Sequence, residues 1–411
     1  MAGFDTRWAD IALAIAVIFL WPWGATIERR LELIGLSRRV RVVSGGGILV
    51  SAAVANLVLG GQLDGHLMYR GDFQTYYVGA QVGLRHGWSH LFDEGLQRPL
   101  WTAAFADHAP FIPYLNTPPQ AWLVAPLALL PFPAAFAIWV GLMTAAALFT
   151  ARLLSPAHGP RQAVVVLVGL SLWVLAYSLA GGQNAIVGAL AIALCWWLVA
   201  AGRPGWAGVA LALIAVRPNA AFLVPVALLF AGQRRLFATW LLTSLVVGAV
   251  VLASLGPPGV RQFLELGAEI RRTHPGAVTL TVSHVLGGGL PAIATGLALA
   301  ALALAVAWRA GRPQPEVAIA AGVLASLFLT PYIHIQDYLT LIAGAGMVAR
   351  STSRASYGLV LFALLLAAPP GALFGDLWPA VLLAVEVVSL GWLMTGATTL
   401  APTPWPFWRL A

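Results

Sequence analysis

Apolar residues run along the chain in blocks of about 17–22, the length an α-helix needs to cross a bilayer. Short segments carrying arginine separate most of the blocks. Helical spans are predicted at about 9–26, 43–60, 133–153, 162–180, 185–201, 236–254, 289–308, 315–331, 338–349, 356–370 and 378–396. Helices suit such blocks because backbone polar groups in hydrocarbon must be satisfied within the segment. The alternating short strands of a membrane barrel are missing from the pattern. The first block, Ile11 to Trp23, has no small-residue cleavage motif after it, so it reads as a retained span rather than a removed leader.

One segment breaks the count. Residues 206–231 lie between "AGRPG" and "GQRRLF", two loops whose arginines both belong on the cytoplasmic side. A single span cannot begin and end on one face. "WAGVALALIAV" and "NAAFLVPVALLFAG" are each too short to cross, and Arg217–Pro218 interrupts them. Two re-entrant half-helices around Arg217 are expected, with the irregular backbone covered by protein or a wet cavity.

Two loops on the opposite, extracytoplasmic side exceed ordinary connection length: 61–132 and 255–288. Both interleave aromatics with charges, as in "YYVGAQVGLRHGWSHLF" and "GVRQFLELGAEIRRTH", and are expected to hold helices lying in the interface. The acids, among them Asp72, Asp93, Glu265 and Asp337, fall on this side, while the arginine-rich loops fall on the other.

Composition agrees with this layout. The chain of 411 residues is 60% hydrophobic and 9% charged, where a soluble protein carries about 25% charged residues. A formal charge of +8 would suggest nucleic acid in a soluble domain. Here the arginines sit in short loops that orient helices, and no nucleic-acid partner is expected. The single cysteine, Cys195, excludes an internal disulfide and a cysteine-based metal site. His66, His86, His90 and His108 lack metal-ligand spacing with nearby acids. The expected class is an all-α polytopic membrane protein of about 11 transmembrane helices, one integral domain over 1–411, plus the half-helix pair and the interfacial helices.

A few polar residues stand out against this background. Asp72, in "YRGDFQTYYVGAQVGLRHG", begins the first outer loop helix. It suits a helix N-cap, and equally a general base acting on a hydroxyl; the two roles are compatible. Arg217 among apolar half-helices needs a partner, since an intramembrane charge costs roughly 2.5–3.5 kcal/mol. That partner is either Glu386, in "LLAVEVVSLGW", or an anion such as a lipid phosphate. In "TPYIHIQDYLTL", His334 and Asp337 are interfacial residues ending a span, or else His334 meets a phosphate or sugar and Asp337 orients it. Gln183 and Asn184, in "AGGQNAI", put paired amides in a tight turn, chemistry that suits sugar hydroxyls.

Several stretches together resemble glycosyltransferase family 87, polyprenol-phosphate-sugar-dependent enzymes of the membrane-embedded GT-C superfamily. "DFQTYYVGAQVGLRHGWSHLFD", "YLNTPPQAWLVAPLALLPFPAAFAIW", "GGQN", "ALIAVRPNAAFLVPVALL", "TVSHVLGG" and "TPYIHIQDYLTLIAG" occur in the family's order between about 70 and 350. Arg217 stands where the family more often has lysine. The resemblance implies a GT-C-like helical bundle and a bacterial cytoplasmic-membrane location with the site on the extracytoplasmic side. It also implies transfer of a sugar, mannose favoured, from a polyprenyl phosphate donor to a glycolipid or glycan acceptor. In that reading Asp72 is the general base of an inverting displacement. Arg217 and His334 hold the donor phosphate, while Tyr76, Tyr77, Gln183, Asn184 and Asp337 meet the sugar or acceptor. No nucleotide-diphosphate metal motif occurs, so no metal and no cofactor are expected. The alternative class is a secondary transporter, because broken helices around a buried charge also suit a midplane site. Transporters commonly show two similar halves, and this chain has one interruption and lopsided outer loops.

Overall fold

The computed structural model describes residues 71–105, 110–154, 172–273, 280–312, 314–351 and 378–396. The spans expected at 9–26, 43–60 and 356–370 lie outside the described residues, as does the first part of 162–180. Fourteen helices and no strands occur among the described residues.

Helix α1 (Phe73–His86) opens the described chain, followed by α2 (Glu94–Phe105) and the short α3 (Pro118–Val124). The long α4 (Phe132–Leu154) follows, then α5 (Trp173–Ala180) and α6 (Ala185–Ala200). Next come α7 (Pro204–Leu211), α8 (Val224–Phe230) and α9 (Arg234–Thr273). The one-turn α10 (Val282–Val285) precedes α11 (Gly289–Ala310), α12 (Pro315–Leu329), α13 (Leu339–Ser351) and α14 (Trp378–Gly396). Three helical stretches, Phe132–Leu154, Arg234–Glu269 and Gly289–Ala310, are long and apolar enough to cross a membrane. The shorter apolar helices are Ala185–Ala200, Pro204–Val216, Pro315–Leu329 and Trp378–Gly391.

Burial sorts these helices into inner and outer. Only 6% of the apolar window of α9 is buried inside the protein, whereas α12 buries 13 of its 15 residues. An apolar helix can face lipid, as α9 does, or fill the centre of a bundle, as α12 does. Helix α12 accordingly packs on α8, α11 and α13, while α6 packs on α4, α7 and α13. Small residues let these backbones approach, the usual device where lipid removes the hydrophobic drive. A Cβ on Gly322 would lie 2.6 Å from the Val224 Cα, and one on Gly296 would lie 2.7 Å from the Phe328 oxygen.

Two breaks position the site. Helix α7 tightens into a 3₁₀ turn, Ala212–Val216, and stops at Arg217 (φ −148°, ψ 85°). Pro218 is the reason, since it drives its predecessor into extended backbone and offers no N–H to continue the helix. The chain then turns through 218–223 into α8. The second break lies within α9, where Gly256 (φ 59°, ψ −179°) adopts a conformation only glycine tolerates and Pro257 and Pro258 follow. Two helices therefore meet at this kink, close to the predicted end of the 236–254 span.

Candidate active site at the start of α6

Polar side chains converge where α1, the turn before α6, the break at Arg217 and the start of α13 meet. The turn Gly181–Gly182–Gln183–Asn184 is the floor of this cluster. Gly182 has φ 64°, and a Cβ there would lie 2.6 Å from the Phe73 Cβ. A Cβ on Gly71 would collide with the Gly181 oxygen at 2.4 Å, so α1 begins directly on this turn. The Trp139 indole on α4 donates to the Gly182 carbonyl at 2.8 Å. Phe73 stacks on the same indole with ring centroids 5.6 Å apart.

Asn184 is wholly buried and occupies the N-cap position of α6, yet its side chain does not cap the helix. It bridges outward instead. Its Nδ2 donates to Gln120 Oε1 at 2.7 Å, and its Oδ1 accepts from Arg217 Nη1 at 2.9 Å. The Tyr76 hydroxyl sits 3.5 Å from the same Oδ1. Gln183 Oε1 receives a second, longer contact from Arg217 Nη1 at 3.4 Å.

Arg217 faces Asp337 side-on. Its Nε donates to Asp337 Oδ1 and its Nη2 to Oδ2 at 3.2 Å, the two-pronged geometry that guanidinium and carboxylate share. Asp337 is 1% exposed and Arg217 9%, so neither charge is left to water. The pairing with Glu386 expected from sequence as one alternative is therefore replaced. Arg217 takes Asp337, while Glu386 on α14 lies against the Tyr338 hydroxyl. The physical reason is which acid the chain break faces. Arg217 sits at the end of a broken helix beside the 3₁₀ turn Ile335–Tyr338 that carries Asp337, whereas Glu386 lies within a continuous apolar helix. Four of the five guanidinium N–H groups are engaged by Asp337, Asn184 and Gln183.

Asp72 precedes α1 with helical backbone (φ −65°, ψ −21°), and its carboxylate does not cap the helix. The capping reading is thus corrected: the Thr75 hydroxyl donates at 2.7 Å to the Asp72 main-chain carbonyl instead. The carboxylate is half-buried and within electrostatic reach of Tyr76, Arg217 and Tyr332. Burial first, and the Asp72 charge second, hold the Tyr76 phenol well above its ordinary range. Tyr76 therefore remains a neutral hydrogen-bond donor.

The other predicted residues are more dispersed. His334 is half-buried; its main-chain N–H donates to Asp337 Oδ2 at 2.9 Å, and its ring meets the Tyr332 hydroxyl. Tyr77 points elsewhere: its hydroxyl donates to the Leu130 carbonyl at 2.7 Å and its ring packs on Phe132. Adjacent helix positions diverge by about 100°, so paired tyrosines cannot serve one point.

Two participants escaped the sequence reading. The Thr117 hydroxyl contacts the Ala215 and Val216 carbonyls at 2.9 and 3.0 Å, holding the last turn before Arg217. Gln120 is fully buried, and its Nε2 has no hydrogen-bond partner among the described residues. Both stand in "NTPPQ", where neither residue carries a charge or a spacing that marks it. Among the described residues, no group of three or more His, Cys, Asp or Glu could hold a metal ion.

The model of glycosyltransferase family 87 matches residues 114–333. The match takes in Gln120, Gln183, Asn184 and Arg217; Asp72 precedes it, and His334 and Asp337 follow its end. No curated protein and no solved structure matches the chain.

Proposed function

The chain belongs to glycosyltransferase family 87 and is a helical membrane glycosyltransferase, and from that premise we propose that its donor is a polyprenyl phosphate sugar, with mannose favoured. The acceptor is a glycolipid or glycan hydroxyl on the extracytoplasmic side of a bacterial cytoplasmic membrane. Segregation of arginines from the acids of the 61–132 and 255–288 loops supports that sidedness. The bundle has a GT-C-like plan of about 11 spans, with residues 206–231 as a re-entrant pair.

The observation that carries the mechanism is Asp72. It is a half-buried carboxylate with no hydrogen bond to its side-chain oxygens among the described residues, within electrostatic reach of a buried guanidinium. An acceptor hydroxyl titrates far above neutrality, so it needs a base as it attacks the anomeric carbon. Asp72 takes that proton; the new glycosidic bond forms as the bond to the phosphate oxygen breaks, and the centre inverts in one displacement. Polyprenyl phosphate leaves as an anion without requiring an acid. The remaining Arg217 N–H and the His334 ring meet the growing phosphate charge. Tyr76, Gln183 and Asn184 address sugar hydroxyls, and Asp337 keeps the guanidinium oriented.

Transfer of labelled sugar from a polyprenyl phosphate donor, with the purified full-length protein in lipid, tests this reading. Asp72→Asn is expected to lower turnover by about 10²–10⁴-fold while donor binding and thermal stability stay near those of the parent. Undiminished turnover in that variant would reduce Asp72 to a bystander. Sugar flux across proteoliposomes without transfer would favour the transporter instead.

A further inference from the structure

The far end of α6 carries a second polar feature that the catalytic reading does not use. Sixteen residues of helix separate the Asn184 turn from Gly202 and Arg203, which is about 24 Å of rise. There the start of α7 and the start of α9 enclose a groove of about 400 Å³. Arg203, Pro204, Trp206, Val209, Arg235 and Thr239 line it, together with two glycines and no carboxylate.

The glycines shape it. A Cβ on Gly208 would lie 2.1 Å from Thr239 Oγ1 and 2.4 Å from the Leu236 carbonyl, so α7 and α9 touch at that level. Gly205 leaves space in front of the Arg235 guanidinium, whose Nε would lie 3.8 Å from an added Cβ. The Thr239 hydroxyl donates back to main-chain carbonyls at 2.9 and 3.1 Å. Arginines are therefore the charged donors of the groove. Neither Arg203 nor Arg235 has a carboxylate partner among the described residues.

Beyond the groove the exposed surface of both helices turns apolar. On α7 and its 3₁₀ extension, Trp206, Val209 and Leu213 are 67%, 40% and 42% exposed and recur at helical spacing. On α9, Arg235 and Thr239 continue in the same stripe to Leu242 and Val246, 63% and 56% exposed. A basic mouth that opens into two parallel exposed apolar tracks matches an amphiphile with an anionic head and two chains. The tracks face lipid in any membrane-spanning arrangement, and the basic groove at their head is what favours an anionic amphiphile over a neutral one. Positive loops that only orient a helix need no groove.

We propose that this groove binds a glycerophospholipid with an anionic headgroup, its phosphate between Arg203 and Arg235 and its acyl chains along Trp206–Leu213 and Leu242–Val246. The site is separate from the sugar-transfer centre and lies on the arginine-rich face.

Titration of phosphatidylglycerol and phosphatidylcholine with identical dioleoyl chains onto delipidated full-length protein, read by native mass spectrometry, tests it. The parent protein is expected to prefer phosphatidylglycerol at least tenfold. Arg203→Gln and Arg235→Gln should each reduce that preference about fivefold, and the double variant should erase it. Arg272→Gln, which removes an exposed arginine paired with Glu269, should leave it intact. Equal affinity of the parent for the two lipids, or undiminished preference in a monodisperse double variant, overturns the site. Displacement of the lipid by equimolar inorganic phosphate overturns the lipid assignment, because the chains would then contribute nothing.

Discussion

Replacing Asp337 by asparagine isolates the electrostatics of the cluster. The substitution keeps shape and removes a charge that is 1% exposed and bonded at both oxygens to Arg217. Arg217 cannot deprotonate, so it is left as a buried cation with only amides as partners. Breaking a buried pair from one side costs about 3–5 kcal/mol, a large share of the 5–15 kcal/mol typical of folded proteins. In a chain of this size that corresponds to a fall of roughly 3–6 °C in apparent Tm. Scanning fluorimetry of the intrinsic tryptophans in detergent reads it directly. Arg217→Gln should cost a similar amount by stranding the carboxylate. The double variant Arg217→Gln/Asp337→Asn removes both charges and should recover about 2 kcal/mol relative to additivity. Sugar transfer should stay lost in the double variant, because a neutral amide pair offers no charge to the leaving phosphate. Adding Glu386→Gln to Arg217→Gln should recover nothing. Additive single-variant losses, or rescue by Glu386→Gln, would refute the pairing and return Arg217 to the helix-buried acid.

Three further outcomes follow from the same geometry. Gly182→Ala forces a side chain into φ 64° with its Cβ 2.6 Å from Phe73; transfer should fall sharply and stability by about 1–3 kcal/mol, measured by activity and thermal scan together. Trp139→Phe removes the donor to the Gly182 carbonyl and should cost about 1–3 kcal/mol, with a smaller loss of transfer than Gly182→Ala. Gln120→Leu deprives Asn184 Nδ2 of its acceptor and should raise the donor KM more than it lowers kcat, in steady-state assays of labelled sugar transfer.

Much of the layout was readable from pattern alone. Spans expected at 133–153, 185–201 and 289–308 correspond to α4, α6 and α11 within a few residues, because each is bounded by proline, glycine or arginine at the point where apolar continuity ends. Arg217–Pro218 announced a break, and the structure has one there. The partner of Arg217 was less accessible. Asp337 and Glu386 are both acids far along the chain, and no local periodicity distinguishes them. Asp72 shows the converse case. Its position before a helix invited a capping role, but the helical backbone at Asp72 and the Thr75 hydroxyl on its carbonyl leave the carboxylate out of the cap.

What the amino-acid sequence determined by itself was therefore one-dimensional: an all-helical membrane chain, where its helices start and stop, and which few polar residues are too costly to be idle. Helix periodicity and bilayer length act within a single segment, so they can be read without knowing the neighbours. Only the tertiary structure decided that Arg217, Asp337, Asn184 and Gln120 form one hydrogen-bonded chain, that Tyr77 leaves it, and that Asp72 lies within electrostatic reach of it. Those contacts join residues 33–120 positions apart. They depend on glycines that let α1 begin on the Gly181–Gly182 turn and on the close packing of α6 with α13. Charge and amide groups choose partners by distance in space, and that distance is set by packing across the whole bundle.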